Sequence, residues 1–274
     1  MQSIESVCGL SRLTSVIGDP IARVRSPGLV NRMLVEQQRE NVLMIPMHVA
    51  SRGLPELLTG LRHCQNFAGA IIAQPHQQSV CEWLDNVSPA VQMTGTCNVI
   101  RRSPDGTLSG TLLEGDGFIA GLRQQEIDVA GKRVYLAGAG FSASAIAHAL
   151  AGQGVTELIL YNRTGDKEVQ LAESLSRNHP GLVVIHGTET PAHCDIAINA
   201  TPAGKGEDRQ QAFSLSGLAA GTWVCDTVIY PQMTPLLQAA ERAGMQTHHG
   251  EYTLMAQLAL MISYMLDPLS SDDQ

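Results

Sequence analysis

The sequence predicts an α/β fold in two units, and three observations predict it. Short apolar runs bounded by turn residues alternate with stretches of helical periodicity, one such alternation carries a glycine-rich corner, and the chain closes on an apolar stretch with helical spacing. At 274 residues the chain has length for about two domains. Its composition, 44% hydrophobic and 16% charged, is that of a packed globular protein rather than a disordered or fibrous one.

Taken in order, the runs LTSVIG, NVLMIPMHV and GAIIA lie between Leu13 and Ala73. Helical patterns beginning near Ser26 and Arg52 separate them, so parallel strands joined by crossover helices are expected. TCNVIRR and the segment Thr107 to Leu113 read as two further strands around the turn Ser103-Pro-Asp-Gly. A helix starting near Asp116 and running through GFIAGLRQQ then carries the chain into a second unit. The boundary is therefore expected at residues 115/116, with 1–115 forming the first domain and 116–249 the second. KRVYLAGAG, SASAIAHALAGQG and ELILYNRT follow as strand, glycine corner, helix, glycine stop and strand. LVVIHG, DIAINA and WVCDTVI supply more strands. The stretch Tyr252 to Leu266 predicts a closing helix, and the segment 250–274 is expected to return to the first domain.

Charge narrows the partners. A net charge of −8 lacks the basic footprint that nucleic acid or an anionic membrane requires, so a small molecule is the expected partner. The start MQSIESVCGLSRL has no basic segment leading an apolar core, and no apolar run approaches the roughly 20 residues of a spanning helix. A cytoplasmic protein is expected, as a monomer or homodimer. The six cysteines are dispersed without a CxxC pair, and the nine histidines form no ligand set, so reduced thiols and no metal are expected.

Gly138-Ala139-Gly140-Phe141-Ser142-Ala143 is a GxGxxA corner between strand and helix. Gly138 permits the tight turn, Gly140 permits approach of a pyrophosphate, and Ala143 keeps the helix close to the sheet. The helix start offers free N–H groups and a positive dipole end to the phosphates. This predicts a Rossmann domain. At the end of the next strand, where an NAD site carries an acidic residue for the ribose 2′-hydroxyl, stand Asn162, Arg163 and Thr164. A guanidinium flanked by two donors suits a 2′-phosphate, so NADP is the expected cofactor.

These residues, with others in the same order, resemble the shikimate and quinate dehydrogenase family over nearly the whole chain. VIGDPIARVRSP, GAIIAQPHQQ, GTCNVI and GTLLEG carry the resemblance in the first half. GAGFSA, NRT, NATPAG, DTVIYPQMTPLLQAAERAG and GEYTLMAQLA carry it in the second. The resemblance implies an N-terminal α/β substrate domain, a C-terminal Rossmann NADP-binding domain and a final helix returning to the first. It also implies reversible NADP-linked oxidation of a hydroxyl of shikimate, a cyclic hydroxy acid, to 3-dehydroshikimate. By the same resemblance, Ser26, Asn98, Tyr230 and Gln257 are substrate-binding residues, and Thr201 in NATPAG contacts the cofactor; Lys205, where the family often has Met, is a departure offered to a phosphate.

The chain also departs from that pattern. Gln77 stands where the family has its catalytic lysine, and Glu114 where it has the partner aspartate. Val24, Ile71, Ala73, Leu112 and Leu113 replace polar residues, and Tyr252 and Thr253 replace Gly and Met. Hydride removal from an alcohol carbon requires a group that takes the hydroxyl proton, which a carboxylate can do and an amide cannot. Glu114 is thus the expected base, with Gln77 donating to the developing oxyanion and Asn98 helping to hold it. His76 is a competing base whose plainer reading is a loop or core-facing histidine, and Asp116 one whose plainer reading is a helix cap. The apolar exchanges favour a ring with fewer hydroxyls than shikimate. The second expectation, from the loss of the lysine, is a non-catalytic protein that binds NADP and a small carboxylate.

Overall fold

The structure, a computed structural model, describes residues 7–22 and 24–268. The chain divides into two compact units, one of residues 1–113 with 258–274, the other of residues 114–257.

The first unit is built on a mixed six-stranded sheet. Its strands are β1 (Arg12–Gly18), β2 (Val42–His48), β3 (Phe67–Ile72), β4 (Asn86–Val87), β5 (Val99–Arg102) and β6 (Leu108–Thr111), in the order β2-β1-β3-β5-β6-β4. β1 runs parallel to β2 and β3, whereas β5 is antiparallel to both β3 and β6. α1 (Ser26–Glu36) and α2 (Leu54–Arg62) are the crossovers, with the short α3 (His76–Ser79) and α4 (Pro89–Thr94) after β3 and β4. A 3-10 turn over Ser51–Gly53 precedes α2, so that helix begins after Arg52. β3 is buried along its whole length, as a strand covered on both faces must be. Gly69 within it has no room for a side chain, because a Cβ there would lie 2.3 Å from the Ile100 carbonyl oxygen and 2.8 Å from Met265 Cγ.

The second unit holds a fully parallel sheet. β7 (Arg133–Ala137), β8 (Glu157–Tyr161), β9 (Val183–His186), β10 (Ile196–Asn199), β11 (Trp223–Asp226) and β12 (Gln246–His248) lie in the order β12-β11-β10-β7-β8-β9. The order reverses between β7 and β10, the doubly wound topology whose ligands bind at strand C-termini. α5 (Glu114–Gln124), α6 (Phe141–Gly152), α7 (Gly165–Asn178), α8 (Pro235–Arg242) and the first part of α9 (Gly250–Leu266) surround the sheet. Alternation along β7 feeds two cores: Val134 and Leu136 join Phe118, Ile146 and Leu150, while Tyr135 and Ala137 join Phe213, Leu236 and Leu237.

Helix α5 starts at Glu114 rather than near Asp116, so Asp116 lies inside the first turn and is no cap preceding it. Three glycines set its packing. A Cβ on Gly115 would meet the Ala145 carbonyl oxygen at 2.3 Å, one on Gly117 would meet Gln257 Cβ at 2.5 Å, and one on Gly121 would meet the Thr253 nitrogen at 3.0 Å. Backbones of α5, α6 and the start of α9 therefore approach more closely than side-chained helices permit.

Candidate active site

The GxGxxA residues turn the chain from β7 into α6. Gly138 has φ +118°, and a Cβ there would lie 2.8 Å from the Ala200 carbonyl oxygen, so conformation and space both require glycine. Gly140 is the N-cap of α6, without a side-chain cap, and nothing lies within 4 Å of where its Cβ would be. The protein's own packing does not demand glycine there, whereas a phosphate seated on the helix start does. The first amides of α6, those of Phe141, Ser142 and Ala143, have no carbonyl of a preceding turn to bond. This open cradle fits a dinucleotide pyrophosphate. Ala143 is fully buried against the sheet, Ser142 half-buried, and Phe141 exposed.

At the end of β8, Asn162 is half-buried while Arg163 and Thr164 are exposed. Asn162 Nδ2 donates to the Thr164 carbonyl oxygen at 2.6 Å, so this amide shapes the turn. Lys167, also exposed and in the first turn of α7, adds a second cation that sequence reasoning passed over.

The loop after β10 is held by a buried network. Asn199 Oδ1 accepts from the Thr201 N–H at 2.9 Å and from its hydroxyl at 2.7 Å. The Thr201 oxygen in turn accepts from the Ala203 N–H at 3.2 Å, so this hydroxyl is engaged within its own loop. Asn199 Nδ2 donates to Asp226 Oδ1 at 3.0 Å, which also accepts from the Val228 N–H at 2.9 Å. Asp226 Oδ2 accepts from the hydroxyl of Thr234, the N-cap of α8, at 2.7 Å. Burial pushes the Asp226 carboxyl up to about 6 against these donors. An acidic residue ending an apolar strand was its only signal in the sequence. Tyr230, on the loop that follows, is exposed, and Gln257 is half-buried against Gly117.

Glu114, the first residue of α5, is half-buried, and burial raises its carboxyl above the ordinary carboxylate range. The Ser142 hydroxyl donates to it and partly offsets that rise. The clamp of Gly115 on Ala145 brings these two residues of different helices together. Tyr252 lies with its ring centroid 5.6 Å from that of His248. His248 is fully buried between Gln125 Oε1 and the Thr253 hydroxyl, and burial lowers it to about 4, which keeps the ring neutral.

In the first unit, Ser26 is the half-buried first residue of α1. Asn98 is buried, and its Oδ1 accepts from the Leu113 N–H at 3.0 Å, fixing the residue that precedes Glu114 in the chain. Gln77 Nε2 donates to the Ile72 carbonyl oxygen at 3.1 Å, and its Oε1 accepts from Gln74 Nε2 at 2.7 Å, leaving one amide hydrogen. His76 is fully buried with Nε2 2.7 Å from the Val49 carbonyl oxygen, the core-facing position. Of the five apolar exchanges, Ile71 and Leu112 are buried, whereas Val24, Ala73 and Leu113 are half-buried. Among the described residues no helix is long and apolar enough to cross a membrane. A surface cavity of about 300 Å³ lined by Ile119, Leu122, Arg123 and Gln153 adjoins the segment leading into β7, the sheet edge that does not carry the loops above.

Comparison with known proteins follows the same division. Residues 16–100 match the family described as shikimate dehydrogenase substrate binding domain, and residues 121–209 match shikimate / quinate 5-dehydrogenase. The chain is 31% identical over 259 residues to the shikimate dehydrogenase (NADP(+)) of Rubrobacter xylanophilus, which covers 93% of this chain and 90% of that one. It is 34% identical over 232 residues to the enzyme of that name from Lysinibacillus sphaericus, covering 84% and 83%. Among solved structures, the ligand-free 5-ketofructose reductase of a Gluconobacter species (strain CHM43) superposes with a TM-score of 0.87 at 25% identity, covering 96% and 95%. With both halves matched in order over most of each chain, the protein belongs to the shikimate and quinate dehydrogenase family of oxidoreductases.

Proposed function

We propose that this chain is a cytoplasmic NADP-dependent oxidoreductase that interconverts a secondary alcohol and a ketone on a cyclic hydroxy acid of the shikimate type, with Glu114 as the base. The observation that carries this reading is Glu114 itself, a half-buried carboxyl held by the Ser142 hydroxyl at the start of the phosphate-binding helix. Relatives named shikimate dehydrogenase (NADP(+)) support both cofactor and substrate class.

The open cradle at Gly140 and the amides of Phe141, Ser142 and Ala143 hold the pyrophosphate, and Gly138 sets the turn. Arg163, with Asn162 and Thr164, takes the 2′-phosphate. The loop braced by Asn199 and Asp226 presents Thr201 through its backbone carbonyl, since its N–H and its hydroxyl are already engaged. Bound in that cradle, NADP would supply the acceptor or donor of the hydride exchanged at the carbinol carbon. The proton of the substrate hydroxyl passes to the Glu114 carboxylate, whose affinity for protons burial raises above that of an ordinary carboxylate. The remaining Gln77 amide hydrogen stabilises the oxyanion, and Ser26, Asn98, Tyr230 and Gln257 recognise the substrate's polar groups. The half-buried apolar positions Val24, Ala73 and Leu113 give the ring fewer hydrogen-bond partners than a fully hydroxylated substrate demands.

The test is turnover. Purified protein mixed with NADP and shikimate, quinate or simpler cyclic hydroxy acids should produce reduced cofactor, and Glu114→Gln should lower kcat by about 10²- to 10⁴-fold while NADP affinity persists. NADP binding without turnover on any of these would overturn the assignment in favour of a non-catalytic binder.

A further inference from the structure

Beneath the turn that carries Arg163 lies a charged group not used by the reading above. Glu168 is 7% exposed, although the residues before it in α7, Gly165 to Lys167, are exposed. Its Oε2 accepts from the backbone N–H of Asn162 at 2.8 Å. Its Oε1 lies 2.7 Å from Nδ1 of His186, the last residue of β9, which runs beside β8. One carboxylate therefore ties together the first residue after β8, the first turns of α7 and the neighbouring strand.

This arrangement has a geometric and an electrostatic side. With the Asn162 backbone fixed by Glu168 and its side chain fixed on Thr164, the turn is held at both ends and Arg163 is left exposed at its middle. In an NAD-selective turn a carboxylate at the end of this strand accepts from the ribose 2′-hydroxyl and repels a phosphate. Here the nearest buried carboxylate points inward. Each of its oxygens already has a partner, the Asn162 N–H on one and the His186 imidazole on the other.

We propose that Glu168 is a positioning residue that sets cofactor preference: by holding the Asn162 N–H it fixes the turn in the form that offers Arg163 to a 2′-phosphate. This rests on reading residues 162–164 as the 2′-phosphate site. The residue acts through the turn and touches neither the reacting atoms nor the nicotinamide.

Calorimetric titration of the full chain with NADP, NAD and 2′,5′-ADP tests it. Glu168→Ala should weaken NADP and 2′,5′-ADP about tenfold, equivalent to about 1.4 kcal/mol, and leave NAD within about twofold. Glu168→Gln keeps an oxygen for the Asn162 N–H and should restore most of the lost affinity. If the alanine variant does not fold, Glu168→Asp carries the test: one methylene shorter, it falls short of that N–H and should show the same selective loss. Equal loss for NADP and NAD, or no loss for either, overturns the proposal. If the unaltered protein itself shows no preference for NADP, the reading of the turn fails instead, whatever the variants do.

Discussion

Replacing Asp226 by asparagine should change the pH dependence of stability by about 3 kcal/mol while leaving the loop network standing. The Asp226 side chain has no exposed surface, and burial lifts its carboxyl from 3.8 to about 6 although Thr234, Val228 and Asn199 all donate to it. A folded-state value above the unfolded one means that the folded chain keeps a proton the unfolded chain has released. The group's contribution to stability is therefore whole below about pH 4, is lost as pH climbs to about 6, and stays constant above that. At about 1.36 kcal/mol per pKa unit, the loss amounts to about 3 kcal/mol. Asparagine keeps one oxygen for Asn199 Nδ2 and the Val228 N–H, and turns an amide N–H toward the Thr234 hydroxyl, which then accepts. Because the amide does not ionise, the variant escapes the loss. Denaturant titrations followed at Trp223 of β11, in a Trp83→Phe background, report on the unit that contains Asp226. The stability of the variant relative to its parent should rise by about 3 kcal/mol between about pH 4 and about pH 7. Curves that stay parallel within about 1 kcal/mol would show that the carboxyl is ionised in the fold throughout, and the account of its burial would be wrong.

Gly115→Ala should lower stability by about 1–3 kcal/mol, because the added methyl must push α5 off the Ala145 carbonyl oxygen; an unchanged Tm would contradict the close approach. Ser142→Ala removes the donor that lowers the Glu114 carboxyl, so the acid limb of the kcat profile should move to higher pH while KM for NADP stays within about twofold. A profile that does not move would detach Ser142 from the base.

The second unit was the more legible part of the chain. The strand, corner, helix and strand from Lys132 to Tyr161 emerge where hydrophobic period and turn glycines place them, because those signals are local. Less was legible between residues 74 and 96, where α3, β4 and α4 are too short to show a period, and in α7, whose mostly exposed surface leaves few apolar positions to count. At the site, residue types were readable but their bonds were not. Gln77 and Thr201 look like free donors in the sequence, yet the fold uses Gln77 to brace Ile72 and Gln74, and Thr201 to brace Asn199. Glu168 with His186, and Asn199 with Asp226, are 18 and 27 residues apart. Only the lateral order of the strands makes such pairs neighbours, and no periodicity encodes it.

The first unit has a delayed last piece. Residues 258–266 belong to it although the whole second sheet is encoded in between, and they bring Met265 over Gly69, while Asp267 follows to meet Arg39 at 2.6 Å. A ribosome therefore begins this unit first and completes it last, so the nascent substrate domain waits, with β3 incompletely covered, while its successor is made. A stop codon before Leu258 would injure the earliest-made part of the chain and spare most of the later one.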